Sequence, residues 1–131
     1  EQESMIALYL ERGEMFALYD QNILKTICVV TDEGGKTIEL KNIATDPQYQ
    51  KQGYGKRLIR FISEHYAGKY DTLLVGTGES PLTIPFYAQN GFKYSHRIKD
   101  FFTDNYDHPI YEDGKQLVDM VYLRKELSKS K

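Results

Sequence analysis

The sequence predicts an α+β fold with a mixed sheet, on three observations. The first third of the chain carries short strand-like runs broken by tight-turn residues, the pattern of an antiparallel meander. A loop with two glycines, Gln50-Lys51-Gln52-Gly53-Tyr54-Gly55-Lys56-Arg57, then joins the apolar run ending Asn42-Ile43-Ala44-Thr45 to a helical pattern. A second apolar run, Thr72-Leu73-Leu74-Val75, follows that pattern and completes strand, helix, strand. Two strands joined through a helix are expected to be parallel, with a right-handed crossover.

The elements follow in order. Residues 4–12 read as an amphipathic helix carrying Met5, Ile6, Leu8, Tyr9 and Leu10, with Gly13 as its stop. Met15 to Tyr19 is a strand, Asp20-Gln21-Asn22 a turn, and Ile23 to Thr31 a second strand. Asp32-Glu33-Gly34-Gly35 is a strong turn signal before a strand from Lys36 to Ala44. Asp46-Pro47 breaks that strand. The next helix sets Leu58, Phe61, Ile62, His65 and Tyr66 on one face and ends near Gly68. Gly76 to Pro81 reads as a turn into a short helix, with Ser80 as N-cap and Pro81 at the first helical position. That helix runs through Phe86 to Asn90, and strands follow around Phe92 to Ile98 and Leu117 to Leu123. Residues 126–131 read as a polar tail, and 1–131 as a single domain.

Composition excludes several classes. A formal charge of -2 over 131 residues speaks against a nucleic-acid partner. No apolar run approaches the ~20 residues of a membrane span. The acidic start Glu1-Gln2-Glu3-Ser4 is unlike a signal peptide, so a cytoplasmic location is expected and no membrane partner. Cys28, the single cysteine, lies in Ile27-Cys28-Val29-Val30 and reads as a small core residue. His65, His96 and His108 have no metal-ligand spacing, and no metal is expected.

The glycine loop carries the chemistry. Helix-start N–H groups lack internal partners and bear partial positive charge, and glycine lets the backbone approach an anion closely. Lys51, Lys56 and Arg57 add full charge, which together suggests a phosphate or pyrophosphate cradle. A Walker loop would need glycine at Gln50 and Ser or Thr at Arg57, and a dinucleotide fingerprint would need glycine at Leu58. Neither fits. The remaining pattern, Gln-x-x-Gly-x-Gly, also fits a merely structural helix start.

That pattern resembles the coenzyme A loop of the GNAT N-acetyltransferase superfamily. Phe86-Tyr87-Ala88-Gln89-Asn90-Gly91-Phe92 resembles a second motif of the same superfamily, Phe-Tyr-x-x-x-Gly-Phe, in the expected order with a strand between. The stretch from Asn105-Tyr106-Asp107 to Asp119-Met120-Val121-Tyr122-Leu123 is similar to a bacterial branch. The resemblance spans roughly residues 4–125. It implies a mixed, mostly antiparallel sheet with a central parallel βαβ unit flanked by helices. Members begin with a strand and helix before what is seen here, so the first strand is expected to be missing or supplied otherwise. Ser80 stands where relatives often carry an Asn that assists coenzyme binding.

What the resemblance implies chemically is transfer of an acetyl group from acetyl-CoA directly to a primary amine. The coenzyme falls to Ile43, Ala44, Thr45, Gln50, Lys51, Gln52, Gly53, Tyr54, Gly55, Lys56 and Ser80, with backbone N–H groups at Ile43 and Ala44 facing the oxyanion. An alkylammonium with a pKa of about 10.4 must lose a proton before it attacks. Glu39 matches the family's general-base position, and it also fits a solvent-facing residue alternating with Ile38 and Leu40. Tyr87 matches the tyrosine that protonates the departing thiolate, and it also fits an aromatic core.

For the acceptor, Asp100 to Asp119 holds Asp100, Asp104, Asp107, Glu112, Asp113 and Asp119 against Lys115, interleaved with Phe101, Phe102, Tyr106 and Tyr111. This pattern fits a solvated loop over a small apolar cluster. It equally fits an acidic, aromatic-walled site for a small cationic amine, with Tyr106, Asp107, Tyr111 and Glu112 as its contacts. His108 is an alternative base. Two other functions stay open: a non-catalytic acyl-CoA sensor, and an acetyltransferase acting on a protein N-terminus or lysine. Exposed sheet edges are compatible with a homodimer.

Overall fold

In the computed structural model, residues 3–127 are described. The architecture is α+β, with a mostly antiparallel sheet that includes a parallel pair, and few helices. The described residues fall into two units. Those up to Leu73, with Leu127, form one, and Leu74–Glu126 the other.

The first unit is a meander in the order β1 (Glu3–Leu10), β2 (Gly13–Asp20), β3 (Ile23–Gly34) and β4 (Thr37–Thr45). Its three pairings are all antiparallel. Turn chemistry sets the hairpins. Gln21 and Asn22 both take positive φ, 54° and 64°, between the paired residues Asp20 and Ile23. Such two-residue turns match the twist of the strands they join. Gly35 and Lys36 repeat the device between Gly34 and Thr37. Alternation then selects the core. Phe16 and Leu18, Cys28 and Val30, and Ile38 and Leu40 are buried, with intervening residues on the other face. Helix α1 (Tyr54–Tyr66) covers β2, β3 and β4 with Leu58, Ile59, Ile62 and Tyr66. Fully burying one such aliphatic side chain is worth about 1.5–3 kcal/mol.

The helix expected over residues 4–12 is instead strand β1. Ile6, Leu8 and Leu10 fit a period of two as well as a helical stripe. The two-residue turn Glu11–Arg12 lets all eight residues of β1 pair with β2. A helix that short is unstable without tertiary support, since isolated helices need about 12–15 residues. β1 thereby forms the sheet edge that the sequence left open.

The second unit holds most of β5 (Thr72–Gly78), then α2 (Thr83–Gln89), β6 (Lys93–Ile98), α3 (Phe101–Asn105), the small hairpin β7 (Tyr111–Glu112) and β8 (Lys115–Gln116), and β9 (Met120–Glu126). Its strands run β5-β9-β6, with β6 and β9 antiparallel. The turn expected from Gly76 is still strand, because β5 continues to Gly78. Gly76 is there for space: a Cβ would lie 2.8 Å from the ring of Tyr122. α2 correspondingly starts at Thr83, with Leu82 rather than Ser80 at its N-cap. Of the expected polar tail, Glu126 ends β9 and Leu127 is buried, its N–H donating to the Asp71 carbonyl. Residues 128–131 lie outside the described residues.

Candidate functional site

In the first unit the site starts with a β-bulge. Val29 pairs with Lys41 and Ile27 with Ala44, so Asn42 and Ile43 together oppose Cys28. A bulge of two residues against one interrupts the ladder and bends the strand. Asn42 takes φ 55°, which asparagine tolerates better than most residues. The interruption includes Ile43, and Ala44, the other expected oxyanion residue, is the first residue back in register.

Beyond Thr45 the chain is held by its own polar groups. Asp46 Oδ1 accepts the Gln48 N–H and caps a 3-10 turn over Pro47–Tyr49. Gln50 Nε2 donates to the Thr45 carbonyl at 3.2 Å and Gln52 Nε2 to the Gln48 carbonyl at 3.3 Å. Lys51 and Gly53 take positive φ, 64° and 88°, and Gly53 is the N-cap of α1. No side chain caps that helix and no acid lies in its first turn, while Lys51 and Lys56 are exposed. Local positive charge and uncapped N–H groups suit an anion.

Two expected contributors are otherwise engaged. Arg57 Nε donates to Glu3 Oε2 at 2.8 Å, and its guanidinium lies 4.4 Å over the Tyr54 ring. Arg57 therefore holds β1 to α1 rather than lending free charge to the loop. Tyr54 is buried, and its hydroxyl donates to Asp20 Oδ2 at 2.8 Å. That bond pushes the phenol pKa up, so only the backbone of Tyr54 is left to face a ligand.

Glu39 pairs across β3 with Thr31, on the sheet face away from α1. Its side chain is only 13% exposed and lies 3.8 Å from Lys41 Nζ, so it is not a simple solvated residue. Cys28 is fully buried, and desolvation pushes its thiol up to about 12, well away from a nucleophile.

In the second unit Tyr87 is buried on α2, its ring 5.2 Å from that of Phe86 and 5.4 Å from that of Phe92. The Tyr87 carbonyl accepts the Phe92 N–H, which ties the helix to the turn after it. Ser80 is 1% exposed, and its Oγ accepts the Leu82 N–H at 3.0 Å. The hydroxyl shapes the turn before α2 instead of facing solvent.

Asp100–Asp119 folds as α3 and the β7–β8 hairpin around a hollow of about 240 Å³. Phe102 and Tyr106 stack along it at 5.8 Å, and Asp107 and His108 line it as well. Asp107 Oδ1 is 2.7 Å from His108 Nδ1. Tyr111 and Glu112, on the hairpin, do not line the hollow. Asp119 is committed elsewhere, bonded to the Asp100 N–H and to Arg97, each at 2.8 Å. These donors hold its carboxyl below the usual carboxylate range, so the segment is less acidic in effect than its composition suggests.

One residue escaped sequence reading. Lys25 is 7% exposed, with Nζ 3.4 Å from the ring centroid of Tyr49. The only available signal was a lysine inside the largely apolar strand Ile23 to Val30. Among the described residues, no group of three or more His, Cys, Asp or Glu could hold a metal ion, and no helix is long and apolar enough to cross a membrane.

Comparison with known proteins bears on this geometry directly. The family model described as acetyltransferase (GNAT) domain matches residues 11–94. The chain is 37% identical over 122 residues to the Bacillus subtilis protein described as uncharacterized N-acetyltransferase YvbK, covering 91% of this chain and 78% of that one. A GNAT family acetyltransferase from Elizabethkingia anophelis with acetyl-CoA bound superposes with a TM-score of 0.87 at 26% identity, over 97% of this chain and 99% of that one. A Bacillus subtilis acetyltransferase in complex with CoA superposes with a TM-score of 0.80 at 35% identity, over 91% and 80%. The family match over most of the chain and the Bacillus relative agree: the chain belongs to the GNAT acetyltransferases, as an acetyl-CoA-dependent N-acetyltransferase.

Proposed function

We propose that the acetyl group passes to the primary amine of a small cationic acceptor. The observation that carries this reading is the hollow in the second unit. Its stacked Phe102 and Tyr106 offer aromatic faces and its Asp107 a carboxylate, the two features that favour an ammonium. Tyr111 and Glu112, outside that lining, are left without a contact role in it.

The residue roles follow the chemistry. Backbone N–H groups from Gln50 to Lys56, with the Lys51 and Lys56 charges, hold the coenzyme's diphosphate. Glu39 takes the proton from the acceptor ammonium, directly or through water; its largely enclosed side chain on the face away from α1 supports this role. The freed amine attacks the thioester carbonyl, and the backbone N–H groups of Ile43 and Ala44, at and just after the bulge, are offered to the oxyanion. Tyr87 protonates the leaving sulfur as the C–S bond breaks, and the nitrogen's second proton restores the phenol, which leaves an amide, free thiol and a protonated Glu39 that returns its proton to solvent.

The test is thiol release from acetyl-CoA across polyamines, aminoglycosides, amino acids and peptides. Amine-dependent release strongest with polycationic small molecules is expected. In Tyr87→Phe, which keeps the ring packing, kcat should fall about ten- to hundredfold with the KM for acetyl-CoA unchanged. Release only with peptides would move the acceptor to a protein amine. CoA binding with no release from any amine would point to a sensor.

A further inference from the structure

Lys25 is the only charged residue in the buried class among the described residues. Its ammonium lies 3.4 Å from the ring centroid of Tyr49 and 5.5 Å from that of Tyr54. Among the described residues no carboxylate comes within ion-pair distance of it. A buried cation is costly unless paired, and aromatic faces repay only part of that cost. An anion is the missing partner.

The ammonium borders open space beside the loop. Lys25 lines a hollow of about 300 Å³, and its ammonium is the only cation on a lining otherwise made of Leu24, Thr26, Ile27, Ala44, Thr45, Asp46 and Pro47. Thr45 Oγ1 donates to Thr26 Oγ1, which donates to the Ala44 carbonyl, so a chain of hydroxyls runs along its wall. Asp46, the one acid there, spends Oδ1 on the Gln48 N–H. Tyr49 and Tyr54 bracket Gln50–Gly53, the stretch that leads into the uncapped start of α1. The buried ammonium and the helix start are independent observations, and both call for negative charge at the same turn.

We propose that Lys25 is a phosphate-recognising residue of the coenzyme site, its ammonium pairing with a phosphate oxygen of acetyl-CoA at the hollow between β3 and β4. The inference rests on the coenzyme reading of the loop. The diphosphate and the ribose 3′-phosphate share the required chemistry, and the experiment separates them.

Lys25→Met keeps the aliphatic stem over Tyr49 and removes the charge, and Lys25→Gln is a second variant should the first fold poorly. Thermal melts establish folding, and the acetyl donors compared are acetyl-CoA, acetyl-dephospho-CoA and S-acetylpantetheine, which has no phosphate. The expected result is a KM for acetyl-CoA raised about ten- to hundredfold, with kcat/KM for S-acetylpantetheine unchanged. An equal loss on acetyl-CoA and acetyl-dephospho-CoA assigns the diphosphate. A loss on acetyl-CoA alone assigns the 3′-phosphate. If wild type and variant prefer acetyl-CoA over S-acetylpantetheine by the same factor, the proposal is overturned. A failure of the loop reading shows separately, as Gly53→Val binding CoA like the wild type.

Discussion

The loop from Thr45 to Arg57 and the segment from Asp100 to Asp119 gain their order from different sources. The loop is pinned by backbone-directed bonds from Gln50 and Gln52 and runs into α1, whose apolar face is anchored by Leu58, Ile59 and Ile62. What it offers a ligand is largely main chain, fixed before any ligand arrives. The Asp100–Asp119 segment has a five-residue helix and a two-residue-per-strand hairpin, and α3 buries no residue. What it offers is side chains, held by polar contacts, the Phe102–Tyr106 stack and the buried Leu117. A main-chain site suits an invariant ligand such as a diphosphate, whereas a side-chain site is readily retuned for different acceptors.

The largest effect should come from breaking the main-chain site. Gly53 takes φ 88°, where a β-branched residue is strongly strained, and a Cβ there would lie 3.0 Å from the Arg57 guanidinium. Gly53→Val should weaken CoA binding about ten- to hundredfold, measured by calorimetry, with every acceptor affected alike. Gly53→Asn, which tolerates the left-handed region, should recover part of that loss. Full affinity in Gly53→Val would remove the loop from the coenzyme site.

The same contrast explains what could be read in advance. β2 to β4 and α1 were legible because turn residues and apolar periodicity agree there, as at Asn22 and Gly35 or at Leu58 and Ile62. The loop was legible because glycine, lysine and helix start are local in sequence. β1 was not, since Ile6, Leu8 and Leu10 suit two periods and only pairing with β2 decides between them. Ser80 was misassigned as a helix cap because an N-cap and a turn preceding a helix use the same hydroxyl chemistry. Arg57 and Asp119 looked available for ligands, but their partners Glu3 and Arg97 are distant in sequence, and ion pairs of that kind leave no local signal. Lys25 left only a weak signal, because the Tyr49 and Tyr54 rings that face its ammonium are distant in sequence.

A smaller effect should follow in the side-chain site. Asp107→Asn keeps the size of the residue and removes one charge from the hollow. The acceptor KM for a polyamine should rise about three- to tenfold, with the Kd for CoA unchanged, because an exposed charge is partly screened. The rise should shrink as salt is added. An equal rise for an amine that is uncharged at neutral pH, such as an arylamine, would assign Asp107 a steric role and end the electrostatic reading of the acceptor site.

The smallest effect concerns how the acceptor segment is closed. The Asp100 N–H, and then Arg97, hold the Asp119 carboxyl below its ordinary range. A carboxyl whose folded pKa lies below its unfolded value of about 3.9 adds stability above that value and loses it as pH falls through the folded one. Asp119→Asn retains an oxygen for the Asp100 N–H but not the charge. Its melting temperature should therefore lie slightly below wild type at neutral pH, and the two should converge as pH drops from about 5 towards 2. A gap that stays constant across that range would mean the side chain acts through packing, and would place the segment's order on the same apolar footing as the loop's.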